Sequence, residues 1–174
     1  MKKIGLIIFC LMLTSCFSNR TDSMGEIREI DNLSQLNGTY SNFPLNAHGQ
    51  FLSTKIFPHI TTPVQYIKVE ALNNKQLHVE GLDKENNIVV ENTFTEGQDF
   101  KFSGGEIEIH SHTGVEGFEA QSLALGLSTG TESFAVNSKG DAIYKNHNIT
   151  GLMVFLIVPV GGSDTRYLQY QKLN

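Results

Sequence analysis

Residues 64–82 read VQYIKVEALNNKQLHVEGL, and this stretch decides the fold class. Val64, Tyr66, Lys68 and Glu70 alternate with Gln65, Ile67, Val69 and Ala71. After Asn73-Asn74, Leu77 and Val79 alternate with His78 and Glu80. A period of two sends successive side chains to opposite faces of a strand, and Asn-Asn is turn chemistry. The stretch therefore predicts an antiparallel hairpin with one buried face.

The same grammar continues toward the C-terminus. Asp83–Asn87 is polar and turn-like, and Ile88, Val90 and Phe94 mark a third strand. Phe100 and Phe102 mark a fourth, which Gly104-Gly105 turns into Ile107 and Ile109. Leu123, Leu125 and Leu127 recur at period two, and Phe134 and Val136 lead into the turn Ser138-Lys139-Gly140-Asp141, followed by Ile143 and Tyr144. Leu152–Val160 (LMVFLIVPV) is apolar throughout and bracketed by Gly151 and Gly161-Gly162. Its length is far below the ~20 residues of a membrane-spanning helix, so it predicts a strand covered on both faces. Tyr167, Leu168 and Tyr170 form the last strand.

Toward the N-terminus, Ile30, Leu33 and Leu36 suit a helical turn leading into Asn37-Gly38-Thr39-Tyr40. In residues 51–58 (FLSTKIFP), Leu52 and Ile56 stand at i, i+4 and Pro58 is a stop, which favours a short helix with a strand as the alternative. That helix is the expected cover for the outer face of Leu152–Val160; lipid or a partner protein is the alternative cover. The whole predicts a mainly β chain: a single antiparallel meander barrel or half-barrel of eight to ten strands, with one or two short helices.

Met1–Cys16 (MKKIGLIIFCLMLTSC) has a different character. Lys2 and Lys3 precede an apolar run, and Leu13-Thr14-Ser15-Cys16 places small residues before a cysteine. This is the form of a secretory signal. Its ending resembles the lipobox of bacterial lipoproteins, which implies cleavage by signal peptidase II and three acyl chains on Cys16. Phe17 stands where the family's inner-membrane retention signal places Asp, which implies the outer membrane of a Gram-negative host, facing the periplasm. The expected organisation is a signal peptide at 1–15, a lipidated Cys16 with a flexible polar tether at 16–25, and a β-barrel-like domain at 26–174.

Two further resemblances concern the domain. Gly38-Thr39-Tyr40 after a helical turn is similar to the Gly-x-Trp opening of lipocalin-type barrels, with Tyr for Trp, and the resemblance implies that Arg166 packs on that aromatic. LNGTYSN (Leu36–Asn42), VNSKGDAIYK (Val136–Lys145) and Pro159-Val-Gly-Gly162 also resemble a group of uncharacterised small bacterial envelope lipoproteins, a likeness that implies no particular activity.

Loss of the leader takes two of the 13 basic residues and leaves 11 against 18 acidic ones, a net charge of −7 on 159 residues. No basic stripe remains to displace counterions, which excludes nucleic acid as a partner. Cys10 leaves with the leader and Cys16 carries lipid, so the domain is expected to hold without a disulfide.

For chemistry, Glu106, Glu108, His110 and His112 would share one face of a strand, with Ile107 and Ile109 on the other. Glu108, His110 and His112 are thus candidate metal ligands, although such a site needs three or four convergent ligands with supporting partners, and a solvated outer face is the plainer reading. His48, His59 and His147 are scattered, and His78 falls on a solvent face. No Gly-x-Ser-x-Gly is present, and the carboxylates at Asp83, Glu85 and Asp99 sit at turns. No cofactor and no enzymatic activity is expected. Two functions follow: a lipid-anchored envelope lipoprotein acting as an interaction or structural module with a protein partner or the membrane, or a lipocalin-like carrier of a small apolar ligand. Interior volume separates them, because Phe94, Phe100, Phe102, Leu125 and Phe155 either fill the barrel or line a pocket.

Overall fold

The computed structural model describes residues 17–18, 24–57, 59–117, 124–154 and 158–174, with side chains described outside 17–18, 110–128 and 151–161. The leader, Leu13–Cys16, Pro58 and Phe155 lie outside the described residues. Nine strands follow one another through a single sheet: β3 (Gly38–Pro44), β4 (Tyr66–Asn73), β5 (Gln76–Leu82), β6 (Ile88–Thr95), β7 (Lys101–Ser103), β8 (Glu106–Gly117), β9 (Ala124–Asn137), β10 (Ala142–Val154) and β11 (Val158–Lys172). Two dipeptide strands lie beside them, β1 (Phe17–Ser18) parallel to β11 and β2 (Ile27–Arg28) antiparallel to β9.

The sheet order is β6-β5-β4-β3-β11-β10-β9-β8-β7. Every neighbour is consecutive in sequence except β3 and β11, so two meanders are joined through their outer members. This is the connectivity of an up-and-down barrel opened between β6 and β7, and the fold is therefore an antiparallel half-barrel. The seam is drawn together by the intervening turn: Gly97 donates to the Phe100 carbonyl at 2.7 Å, and the Asp99 carboxylate accepts from the Thr95 amide at 2.8 Å.

The local sequence explains the elements. Lys68, Glu70, His78, Glu80, Glu91 and Thr93 pair across β4–β6 on the outer face, while Ile67, Leu77 and Val79 are buried. The β5–β6 connection is organised by Asp83, whose carboxylate accepts from the Glu85 and Asn87 amides and from Asn87 Nδ2 at 2.8–3.0 Å. Asn86 supplies the left-handed residue that the connection requires, at φ 63°.

The core fills the barrel with Ile67, Leu77, Val79, Phe100, Phe134 and Tyr144, joined at one end by Leu33 and Leu36 from a 3₁₀ turn (Leu33–Leu36). Helix α1 (Leu52–Ile56) packs at that core through Leu52, Ile56 and Phe57. It has no side-chain cap of its own; instead, buried Asn42 of β3 accepts from the Ser53 amide at 2.7 Å and donates to the Val64 carbonyl at 2.7 Å. The helix expected over 51–57 thus forms and packs on the barrel core; its expected role as cover for Leu152–Val160 falls on side chains outside the described set.

That apolar run is not one strand. Leu152–Val154 ends β10 and Val158–Val160 opens β11, with Val154 paired to Val158. Strands β8–β11 have 12 to 15 residues, whereas β3–β6 have seven or eight, so the long strands run on as a ribbon beyond the barrel. Along the ribbon the paired rows change character. Asn148 stands between Gly130 and Asp164, and Thr150 between Ser128 and Gly162. Beyond Gly151–Gly161 the rows are Leu152–Val160 with Gly126 and Glu116, Met153–Pro159 with Leu125 and Gly117, and Val154–Val158 with Ala124, apolar throughout in β10 and β11. Pro159 is accommodated because β11 has no second strand partner there among the described residues.

The N-terminal segment is tied in by one polar network. Asn137, fully buried, donates to the Met24 carbonyl at 2.6 Å and accepts from the Lys139 and Asp141 amides at 3.0 and 2.9 Å. Asp141 in turn accepts from Gln169 Nε2 at 2.8 Å and from the Lys172 amide at 2.9 Å. Gly140, at φ 88°, allows the expected turn to close.

Candidate functional site

Among the described residues, the barrel interior, the Glu106–His112 segment of β8 and the outer face of the β5–β6 hairpin have residue types that bind or react.

The interior holds a cavity of about 80 Å³. Its walls include Tyr40, Phe94, Phe100, Ile109, Phe134 and the α1 residue Leu52, with Asp99 at the seam. Ligand sites for small molecules run to ~300–1,000 Å³. This space, walled by aliphatic and aromatic side chains, is several times smaller than such a site. Phe94 and Phe100 line it, and Phe102 packs on the surrounding core. Leu125 lies in the ribbon of β9, with its side chain outside the described set.

Around the cavity three phenols are buried. Tyr40 donates from Oη to the Leu36 carbonyl at 2.7 Å, and its pKa is pushed up to about 12, first by burial and then by the Asp141 charge. Burial also raises Tyr144 and Tyr170. Tyr144 lies beneath Lys55 of α1, whose Nζ is 5.0 Å from the ring centre. The cation over the Tyr40 ring is Lys172, at 5.8 Å. Arg166, expected in that place, is instead exposed and paired with Asp164 at 2.8 Å. The register of β11 decides this, because Lys172 is the residue opposite Tyr40.

The β8 segment does not keep strict alternation. Glu108 pairs with Ser133, but His110 pairs with Glu132, and the register shifts between them. Ser133 and Glu132 are adjacent and alternate, so the extra residue at Ile109 puts positions 108 and 110 on opposite faces. Glu106 is already engaged, accepting from Ser133 Oγ at 2.8 Å and paired with Lys145 at 3.1 Å. The expected face carrying Glu106, Glu108, His110 and His112 together is therefore broken by a bulge. The side chains of His110 and His112 lie outside the described set.

The third place escaped the sequence reading, which took His78 as solvated and passed over Glu91. His78 Nε2 lies 3.4 Å from Glu80 Oε1 and 3.4 Å from Glu91 Oε2. Among the described residues this is the one cluster of His, Cys, Asp and Glu that brings three ligand atoms together, all within 4.8 Å. His78 Nδ1 faces Thr93 Oγ1 at 3.2 Å, and the second oxygen of Glu80 binds Lys68 Nζ at 3.0 Å. The missed signal is His-x-Glu on one strand with a Glu across a five-residue turn; recognising it requires the pairing of Glu80 with Glu91.

Comparison with family models, with curated proteins and with solved structures finds no match for this chain.

Proposed function

We propose that the chain is a lipid-anchored component of a bacterial cell envelope, held by acyl chains on Cys16 and acting through a protein or membrane surface without catalysis. The observation that carries this reading is the sequence Leu13-Thr14-Ser15-Cys16 behind a basic and apolar leader. By resemblance the destination is the outer membrane, with the domain in the periplasm.

The ribbon geometry supports the reading. Phe17–Ser18 runs parallel to Asp164–Thr165, so Phe17 is the nearer of the two to the end of β11 that carries the apolar rows. Phe17 stands only three residues from the Gly161 row, about 10 Å along a strand. The three rows, apolar in β10 and β11, span a similar depth, that of an interfacial insertion of ~5–10 Å and far short of the 9–11 residues a strand needs to cross a bilayer, with Glu116 in the row nearest the barrel. Acyl chains and the apolar end of the ribbon would then enter one leaflet together. The cavity of about 80 Å³ favours this module over the carrier of an apolar ligand.

The test is expression of the full chain in a Gram-negative host with an alkyne-tagged fatty acid. The label should enter wild type, vanish in Cys16→Ser, and follow the membrane fraction. An unlabelled mature protein in the soluble fraction, starting at another residue, would overturn the proposal. In the Cys16→Ser background, residual binding to vesicles should weaken further in Met153→Asp. Equal vesicle binding by the two would sever the ribbon end from the membrane while leaving acylation untouched.

A further inference from the structure

We propose that His78, Glu80 and Glu91 form a binding site for one divalent transition-metal ion of the zinc class. Three features of the hairpin carry it. The first is spacing. Tetrahedral zinc with bonds of ~2.0–2.1 Å to nitrogen and oxygen sets its ligand atoms about 3.3–3.4 Å apart. His78 Nε2 stands 3.4 Å from one oxygen of Glu80 and 3.4 Å from one oxygen of Glu91. Two edges of the coordination tetrahedron are thus already near their final length, and all three ligand atoms lie within 4.8 Å of one another.

The second feature is the set of supporting contacts. Metal-bound imidazoles carry a hydrogen on the nitrogen away from the metal and donate it to a fixed acceptor. Thr93 Oγ1 lies 3.2 Å from His78 Nδ1, in position to accept that hydrogen and leave the Nε2 lone pair facing the two carboxylates. Lys68 Nζ holds Glu80 Oε2 at 3.0 Å, so Glu80 is oriented to offer Oε1 alone.

The third feature is rigidity. The three ligands come from two strands in continuous register, His78 with Thr93 and Glu80 with Glu91. The connecting turn is locked by the three hydrogen bonds to Asp83, and those from Asn87 hold its carboxyl below the usual carboxylate range. Sites on paired strands hold their geometry better than sites on loops. One imidazole and two carboxylates make a borderline donor set, which suits zinc before calcium or magnesium. The ion would clip β6, an edge of the open sheet, to β5, with water completing the shell on the exposed Glu91 side.

The experiment is equilibrium dialysis of the metal-stripped full chain against zinc sulfate, read by elemental analysis, with thermal melting as a second readout. Wild type should take up one zinc and melt higher with zinc than with chelator. His78→Ala and Glu91→Gln should each weaken zinc binding at least tenfold, and Thr93→Val by about tenfold through the ring orientation. Glu70→Gln, on the same face but outside the three, should keep binding within a factor of about two to three. His78 and Glu91 are surface positions, so melting of the chelated variants near the wild-type temperature confirms that they fold. The proposal is overturned if wild type binds no zinc, if His78→Ala binds it undiminished, or if binding is lost instead in His110→Ala or His112→Ala.

Discussion

Replacing Asn137 by Ala tests whether one buried amide holds the N-terminal segment, the Val136–Lys145 hairpin and the last strand together. The side chain is inaccessible to solvent and makes three hydrogen bonds of 2.6–3.0 Å. Its removal strands the Met24 carbonyl and the Asp141 amide in buried surroundings, whereas the Lys139 amide sits in an exposed turn and can find water. A buried polar group left without a partner costs ~1–3 kcal/mol. Two such groups, with the lost packing of the amide, give about 3–4 kcal/mol. For a chain of this size each kcal/mol moves Tm by ~2–4 °C, so the melting temperature should fall by roughly 10 °C. Urea unfolding followed by far-UV circular dichroism, with calorimetry alongside, provides both numbers. Ser138→Ala, an exposed neighbour, should change stability by less than ~0.5 kcal/mol. A loss below about 1 kcal/mol for Asn137→Ala would refute the reasoning, because it would mean that water or rearrangement satisfies the groups the amide now serves.

Further expectations concern the barrel wall. Tyr40 is raised from 10.0 to about 12, so the unfolded chain releases its proton first as pH rises; stability present below pH 10 should be lost between pH 10 and 12, read as a falling urea midpoint. Gly105 has φ 76° and an added Cβ would lie 2.8 Å from Glu29 Cα, so Gly105→Ala should cost about 2–3 kcal/mol. Gly104→Ala, at φ 61° in open space, should cost only ~1 kcal/mol in the same urea titration. Lys172→Met removes the charge over Tyr40 and the hydrogen bond to the Asn37 carbonyl at 2.6 Å, a loss of about 1–2 kcal/mol. Arg166→Ala, which breaks an exposed pair, should change stability by less than ~0.5 kcal/mol.

What the sequence disclosed follows from the range of its signals. Alternation over Val64–Ile109 identifies strands because one face is core and the other is solvent, and β4 to β8 lie where that pattern puts them. Ser138–Asp141 and Leu52–Ile56 announce themselves through turn and helical spacing. Alternation says nothing in Leu152–Val160, where every residue is apolar and no Gly or Asn marks the reversal between Val154 and Val158. A bulge adds a residue without a compositional trace, so the split between Glu108 and His110 was not visible. Register across a turn is likewise silent, and it alone brings Glu91 to His78 and Lys172 to Tyr40. Cys16 is the opposite case, legible in sequence and lying outside the described residues.

The pairing of β3 with β11 has a consequence for when the protein becomes itself. Tyr40 meets Lys172, the Leu173 amide bonds the Thr39 carbonyl at 2.8 Å, and Asn174 Oδ1 accepts from the Thr39 amide at 3.0 Å. A chain emerging N-terminus first, whether from a ribosome or from a translocation pore, holds this seam apart for more than 130 residues. The β4–β6 and β8–β10 hairpins close locally as they appear, but the wall joining them waits for the final few side chains. The wall between β3 and β11, closing the longest loop in the sheet, is therefore the pairing that must form last.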